Sequence, residues 1–589
     1  MSRMMGTGVI KRLLADTAAG HGADMVAFLH PQAGAVMRSM RARAGETVSL
    51  KDFAPVADGV ADDRAKLVQA DAAGGDLYIP PGSYKVATDL TLSSRVFMAR
   101  GAQLVIPTGV TVTFNGGLLA GLHRIFTITG TGKVAFDPTK TSVGFPEWWG
   151  AVTGGPDCAP GINACLIACN VTELQAGDYV VSQRVEMLLP HRTLRGKGCQ
   201  YDGTAGSSTR IVIVSATADV IQVGPDASPG SVNSFHRENR VEDVHLTRST
   251  APTVASACRG LFNQYTLYAE FKNVKSSESI YPFHFAGTVQ THAKYCWAFR
   301  SIAGTGGADL CYGFFVDGTL NIGLNGGNAS IYLEYCNATI GGISIANSAG
   351  FYLDKKFTDA FIETPETSGF AVGINVQGDG SAVNTLTNTD LLIRNPVLDT
   401  FSFAGLYVNN ANKFGAIEVT GGYYGAANGA TAGIYVNASP GAVHVNGGQV
   451  LCNVAVGCHG VLGVNSSGLV IDRTKIIECT GAGVELSNVT NCDIRPLVKN
   501  FDKTLTGAAV RVAGTCTRNT YAPMAFGKAS AMPLGVQLIG ANHNWNEINC
   551  SGIDAAAVAG GSANKLTING VQVTATGLSG TNVASGVMA

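Results

Sequence analysis

Three observations predict that this chain folds as an all-β right-handed parallel β-helix, a single-stranded solenoid that adds short strands with every turn. The first is composition. Of 589 residues 74 are Gly and 46% are hydrophobic, while only 14% are charged. That is too apolar for disorder. It suits short strands joined by tight turns, where Gly supplies positive φ and Asn tolerates it. The second is alternation of apolar and polar residues in short runs, as in "LTLSSRVFMARGAQLVIPTGVTVTFNGGLLAG" (90–121). The third is a rhythm. A small residue followed by apolar-x-apolar recurs at Gly342, Gly373, Gly405, Gly433, Gly460, Gly483 and Ala509, at spacings of 31, 32, 28, 27, 23 and 26. Strands at coil-length spacing, turning on Asn and Gly, are the signature of stacked coils. A seven-bladed propeller is the competing reading, and these spacings are too uneven and too short for four strands each.

Along the chain, residues 1–45 read as a separate N-terminal segment. Met4 to Ala19 and "AVMRSMRARAGE" predict two short helices without enough company to form a core, so an anchor or linker is expected. Residues 46–150 read as a β-rich neck or cap. Its opening, "DFAPVADGVADDRAKLVQADAAGGDLYIPPGSYKV", gives loop, helix, strand, Pro/Gly turn, strand. The same order returns in "EWWGAVTGGPDCAPGINACLIACNVTELQAGDYVV", which aligns Phe53-Ala54 with Trp149-Gly150 and Gly82-Ser83-Tyr84 with Gly177-Asp178-Tyr179. Trp148 and Trp149 are expected to plug the top of the helix, covering its first coil and closing an exposed edge; a sugar-stacking platform is the functional alternative. Residues 151–515 carry the rhythm and form the expected trunk. Residues 516–589 are sparser and Asn-marked, and read either as final narrow coils or as a small C-terminal β region.

Several function classes lose support here. The formal net charge of −1 is no polyelectrolyte signature, so no nucleic-acid partner is expected. The 14 cysteines stand singly, without CxxC or zinc-like Cys/His spacing, so neither metal nor cofactor is expected. They read as small buried thiols of a protein folded in a reducing compartment. No window suits a membrane span, and the N-terminus lacks the continuous apolar stretch of a signal peptide. HExxH, P-loop and GxSxG motifs are absent from the sequence.

"VSLKDFAPVADGVADDRAKLVQA" resembles the opening of pectate-lyase-type β-helix proteins of phage tails. "GVTVTFNGGLLAG" followed by "VGFPEWWGAV" is similar to the neck-to-helix junction of capsule-degrading tailspikes, especially those of phages infecting Klebsiella, and "LRGKGCQYDGTAGSSTRIV" to their first coils. The family's double aspartate is present as Asp62 and Asp63, whereas its usual Gly-Ala appears as Ala54-Pro55. The resemblance covers about 46–215 in motif and the remainder in rhythm. It implies a pectin-lyase-like homotrimer on the virion, joined through its N-terminus to a phage tail or adaptor protein. It also implies folding in the host cytoplasm, action outside the cell, and bacterial capsular polysaccharide as substrate.

Glycoside hydrolysis needs two carboxylates, roughly 5–5.5 Å apart for retention and roughly 6.5–9.5 Å for inversion. Stacked coils supply the shorter spacing between neighbouring rungs. "SIYLEY" (330–335) and "GFYLDK" (350–355) are one phrase repeated after 20 residues. If they occupy adjacent coils, Glu334 stacks beside Asp354 and Tyr332 beside Tyr352 on the outer face, with Lys355 and Lys356 nearby. Asp317 and Tyr312 in "GADLCYGFFVDGTLNIG", and Asp359 and Glu363 in "KKFTDAFIETPETSG", extend the candidate set. The second stretch breaks the rhythm and reads as a loop bulging from the coils. The rival reading is a polysaccharide lyase drawing on "FHFAGTVQTHAKYCWAFR", with His284, His292, Lys294, Tyr295, Trp297 and Arg300 as base, neutralising and sugar-binding groups. A non-catalytic receptor-binding fibre and a structural spacer are the non-enzymatic alternatives.

Overall fold

The computed structural model describes Thr7 to Phe526 apart from residues 17, 19, 200–205, 254, 256, 306–308, 320–327, 356, 379–389, 412–415, 442, 453–456 and 500–507, and short strands beyond. Two compact units divide the chain, Met1–Glu173 and Leu174–Ala589. Both are built mainly from parallel strands.

In the N-terminal unit the helices Thr7–Leu14 and Met40–Ala44 precede a short three-sided stack. Gly82–Lys85 pairs with Ala102–Ile106, Asp76–Ile79 with Val96–Met98, and Leu90–Leu92 with Thr111–Phe114, all in parallel. This part of the chain is therefore itself a small solenoid. Its double aspartate is architectural: buried Asp63 accepts from the backbone N–H groups of Val56 (2.7 Å) and Ala57 (3.0 Å). The repeated phrase is real. Leu50–Phe53 and Pro146–Trp149 are both 3₁₀ turns ending in left-handed residues, Ala54 and Gly150. Each is followed by a helix, Arg64–Ala72 and Ala159–Ala168, and then by a buried tyrosine, Tyr84 and Tyr179. The tryptophan pair closes the stack that precedes it. Trp148 lies 5.4 Å from Phe145 and 6.1 Å from Phe136, and Trp149 lies 5.1 Å from Phe126. Trp148 is 2% exposed, which leaves no face for a sugar.

The second unit is a right-handed parallel β-helix. One sheet runs through Arg259–Gln264, Tyr281–Ala286, Leu310–Asp317, Asn347–Asp354, Val372–Gln377, Ala404–Asn409 and on to Ala555–Val558. A second sheet takes two strands from each coil, as with Val289–Lys294 and Trp297–Arg300, then Ala329–Glu334 and Asn337–Ile340. The corner between each such pair is a left-handed residue: Tyr295, Tyr335, Thr364 and Asn395 in successive coils. Inside, like stacks on like. Phe283, Phe314 and Phe351 are register partners with rings 4.7 and 4.8 Å apart and nearly parallel. Ile374, Leu406, Ile434, Val461, Val484 and Val510 continue the column. Every described cysteine is a free thiol, and all but Cys199 are buried.

The rhythm holds from Gly373 onward and fails at its first member. Gly350-Phe351-Tyr352-Leu353, not Gly342-Ile343-Ser344-Ile345, is the rung above Gly373. Gly342 sits in a turn with φ +75°. The stretch 355–368 is likewise no bulge. Asp359–Glu363 and Glu366–Ser368 are ordinary strands whose Ala360, Ile362 and Thr367 face inward. Beyond 515, Val536–Ile539 and Ala555–Val558 continue the parallel stack, and the antiparallel pairs with Asn582–Ser585 and of Lys565–Ile568 with Val571–Val573 follow.

One column of the long sheet excludes side chains. A Cβ built on Gly350, Gly373, Gly405, Gly433 or Gly460 falls 2.5–3.0 Å from the carbonyl oxygen of the next rung's glycine. Gly405→Ala, where the added carbon also lies 2.9 Å from Phe401, should therefore destabilise the protein by about 1–3 kcal/mol, as overpacking does. Denaturant unfolding of the purified variant checks this.

Candidate active cleft

Two neighbouring strands of the long sheet, Leu310–Asp317 and Asn347–Asp354, end in aspartates that are register partners. Parallel neighbours lie about 4.8 Å apart, so two carboxyls are set side by side by the coil repeat alone. Their environments differ. Asp317 Oδ2 lies 3.0 Å from His284 Nε2, on the preceding rung, and its Oδ1 accepts from the Thr319 backbone at 2.8 Å. Burial pushes the Asp317 carboxyl up, but these hydrogen bonds outweigh it and hold its pKa below the usual range. Asp354, 8% exposed, goes the other way: burial raises its pKa, Lys355 opposes, and the charge of Asp317 adds to the rise. The surroundings thereby favour the charge of one carboxyl and disfavour that of its neighbour.

Aromatic rings wall the pair. Tyr312 and Tyr352 stack at 4.2 Å, and Tyr281 lies 5.7 Å from Tyr312 and 5.2 Å from Phe315. Burial and Tyr312 push the Tyr281 phenol up to about 12, and Tyr352 is raised too, so both remain hydroxyl donors. His284, 7% exposed, stacks on Phe315 at 4.6 Å and is held neutral by burial. Next to Asp317 opens a cleft of about 430 Å³ lined by Arg184, Asp219, Gln222, Asp226, Arg259 and His284 among others. Its cations are engaged: Arg184 with Glu186 (2.9 Å) and Asp226 (2.6 Å), Arg259 with Asp219 (3.5 Å) and over the Phe262 ring.

The structure separates the repeated phrase. Glu334 and Tyr332 stand on the second sheet, Asp354 and Tyr352 on the long one, so the 20-residue repeat spans two sides of a coil rather than one turn. Glu334 is instead the register partner of Glu363, in a column flanked by Lys294 (2.7 Å) and Arg394 (3.8 Å). His292, Tyr332 and Phe361 stack beside it at 4.2 and 4.9 Å, and the last two rim a hollow of about 260 Å³. Asp359 is tied to Ser330 N–H (3.2 Å) and the Thr358 hydroxyl (2.7 Å). Trp297, also on the second sheet, lies under Lys275 at 4.7 Å. Arg300 cannot meet a ligand: its side chain is 0% exposed and engages Asp309 (2.5 Å), Ile302 O (3.0 Å) and Leu310 O. Exposed Lys355 follows Asp354 directly, and Lys356 lies outside the described residues. Among the described residues no group of three or more His, Cys, Asp or Glu could hold a metal ion.

Asp219, Gln222, Arg259 and Tyr281 escaped the sequence reading. For Arg259 and Tyr281 the signal was the pair of six-residue runs "RGLFNQ" and "YPFHFA", whose alignment sets Arg259 opposite Tyr281 and Phe262 opposite His284.

No family model matches this chain, and no curated protein matches it. Solved structures do. The tailspike protein of Escherichia coli bacteriophage HK620 in complex with a pentasaccharide is 10% identical over 95% of this chain and 87% of its own, with a TM-score of 0.38. Tailspike protein 3 of bacteriophage CBA120 is 11% identical over 96% and 67%, with a TM-score of 0.28. The A-module of the Azotobacter vinelandii mannuronan C-5 epimerase AlgE6 is 13% identical over 89% and 98%, with a TM-score of 0.24. The likeness is one of coils. The fold stands on this chain's own strand register.

A carboxyl with a raised folded pKa adds stability below its unfolded value and loses it as pH climbs through the folded one. Above that point wild type carries a disfavoured charge at Asp354 that Asp354→Asn lacks. The variant should melt higher than wild type at pH 8, with the difference shrinking towards pH 4, as differential scanning fluorimetry across buffers will show.

Proposed function

We propose that this protein is a phage tailspike depolymerase that hydrolyses glycosidic bonds of a bacterial capsular polysaccharide. The observation that carries the reading is the Asp317–Asp354 pair, register partners with pKa values pushed in opposite directions beside stacked tyrosines. Asp354 is the general acid, protonating the leaving oxygen. Asp317 is the carboxylate that attacks or guides the anomeric carbon, the adjacent-rung spacing matching the roughly 5–5.5 Å of retaining enzymes. Tyr312 and Tyr352 bind the sugars. Glu334 and Glu363, with Tyr332, Phe361 and His292, form a charge-compensated side of the trunk in place of the earlier pairing. Hydrolysis is favoured over elimination because the strand register supplies a carboxyl pair, whereas Arg300, the cation of the lyase reading, is fully buried against Asp309.

Asp317→Asn and Asp354→Asn should each lower turnover by at least ~10²–10⁴-fold, the share general acid–base help contributes, while Asp472→Asn, an exposed-side aspartate paired with Arg473, keeps it. Reducing ends released from a panel of purified capsular polysaccharides are the measurement. Near-wild-type release by both amide variants overturns the pair, and unsaturated uronate products overturn hydrolysis.

The sequence resemblance further supports a homotrimer on the virion whose residues 1–45 attach to a tail or adaptor protein. Light scattering should give three times 60.9 kDa, and a monomer at micromolar concentration would remove the assembly. A truncation starting at residue 46 should keep both trimer and turnover.

A further inference from the structure

We propose that His284 is a positioning residue for the reaction: its imidazole, donating from Nε2 to Asp317 Oδ2, fixes Asp317 as the acceptor of the carboxyl pair and leaves Asp354 as the one that carries the proton. This inference rests on the Asp317–Asp354 assignment and adds a residue that the pairing of acids does not require.

Four observations meet at this ring. His284 is the register neighbour of Phe262 on one side and Phe315 on the other, and it packs at 5.0 and 4.6 Å between them. Tyr281 closes a third side at 5.5 Å. The ring cannot swing out, so its hydrogen bond to Asp317 at 3.0 Å has a fixed direction. Second, Nδ1 is buried without a hydrogen-bond partner among the described residues. A protonated Nδ1 would leave a charged donor buried and unpaired, which is costlier than a lone pair left bare. The neutral tautomer with hydrogen on Nε2 is the one this surrounding selects. Third, a donor at Nε2 needs an acceptor, and Asp317 Oδ2 is the stronger acceptor as carboxylate. Fourth, the other Asp317 oxygen already accepts from Thr319 N–H, so the group is held at both ends.

The charges around the ring agree. Burial is the main force keeping His284 neutral; Arg259 adds to it, and Asp317 and Asp219 oppose it. Asp354 faces Asp317 from the next rung and Lys355 follows it, while Asp226 and Arg184 across the cleft pair with each other. A neutral donor is what the site needs. An imidazolium would compete with Asp354 as the proton source, and a ring without a donor would let the two carboxyls share one proton evenly.

Two variants of the full-length protein test this. His284→Phe keeps the stacking and removes the donor; His284→Gln keeps an N–H of similar reach. The pH profile of kcat/KM for the depolymerised capsule should show the acidic limb, which reports Asp317, moved upward by about one pH unit in His284→Phe. Its kcat should fall ten- to a hundredfold at little change in KM, and His284→Gln should restore most of both. A double-mutant cycle of His284→Phe with Asp317→Asn, read by melting temperature, should be non-additive whether or not any sugar is cleaved. An acidic limb superimposed on wild type, with Asp317→Asn inactive, overturns the role of His284 alone, and non-additive melting would then mean only a structural tie. Additive melting also overturns it. Full turnover by Asp317→Asn removes the carboxyl pair itself, and this inference with it.

Discussion

Backbone-to-backbone contact between successive coils is the constraint on which everything else depends. At the glycine column a rung's Cα lies so close to the next rung's carbonyl that no Cβ fits. The strands on either side pair in constant register through that column, which settles the identity of every pair of neighbours on both faces. The inward consequence is a core of like upon like, phenylalanine over phenylalanine and then branched aliphatics. The outward consequence is that residues far apart in sequence become neighbours at a distance that the backbone repeat dictates.

The carboxyl pair is one such outward consequence. Asp317 and Asp354 are 37 positions apart, yet they meet because both close a strand of the same sheet. Nothing else in the site had to be invented to bring them together. What distinguishes the pair from other aligned acids is its surroundings. Glu334 and Glu363 are equally aligned, but basic side chains flank them above and below. Around Asp317 and Asp354 the described neighbours are mainly aromatic rings and a neutral imidazole, with Lys355 beside Asp354 and Arg259 paired to Asp219 in the adjoining cleft. Alignment is cheap in this fold, and desolvation is what makes it chemical.

The fold was legible in the sequence because a solenoid repeats its instructions. Glycine, alternation and coil-length spacing all pointed to stacked strands, and the repeated loop–helix–strand phrase predicted matching tyrosines in two places. The site was half legible. Tyr312, Tyr352, Asp317 and Asp354 were among the candidates, yet Asp354 was matched with the wrong partner. "SIYLEY" and "GFYLDK" share a period-two pattern that any strand on any side of a coil would show, and nothing in that pattern says which side. Coil length settles it, and here it varies: 37 positions separate Gly313 from Gly350, but 23 separate Gly350 from Gly373. Arg300 misled for a related reason. A charged residue at a strand end reads as solvent-facing until its carboxylate partner Asp309, on the following turn, is seen folding back over it.

The stacked phenylalanines directly beneath the acidic rungs carry one more implication. Three rings held parallel within a packed interior act as a spacer that neither shortens nor lengthens when a ligand arrives. On the proposed function, Asp317 and Asp354 are presented by rigid strands rather than by loops, so their order is set by the fold itself. Adapting such a protein to another glycan then means altering the turns that frame the groove, where coil length already varies freely, while leaving the rungs beneath untouched.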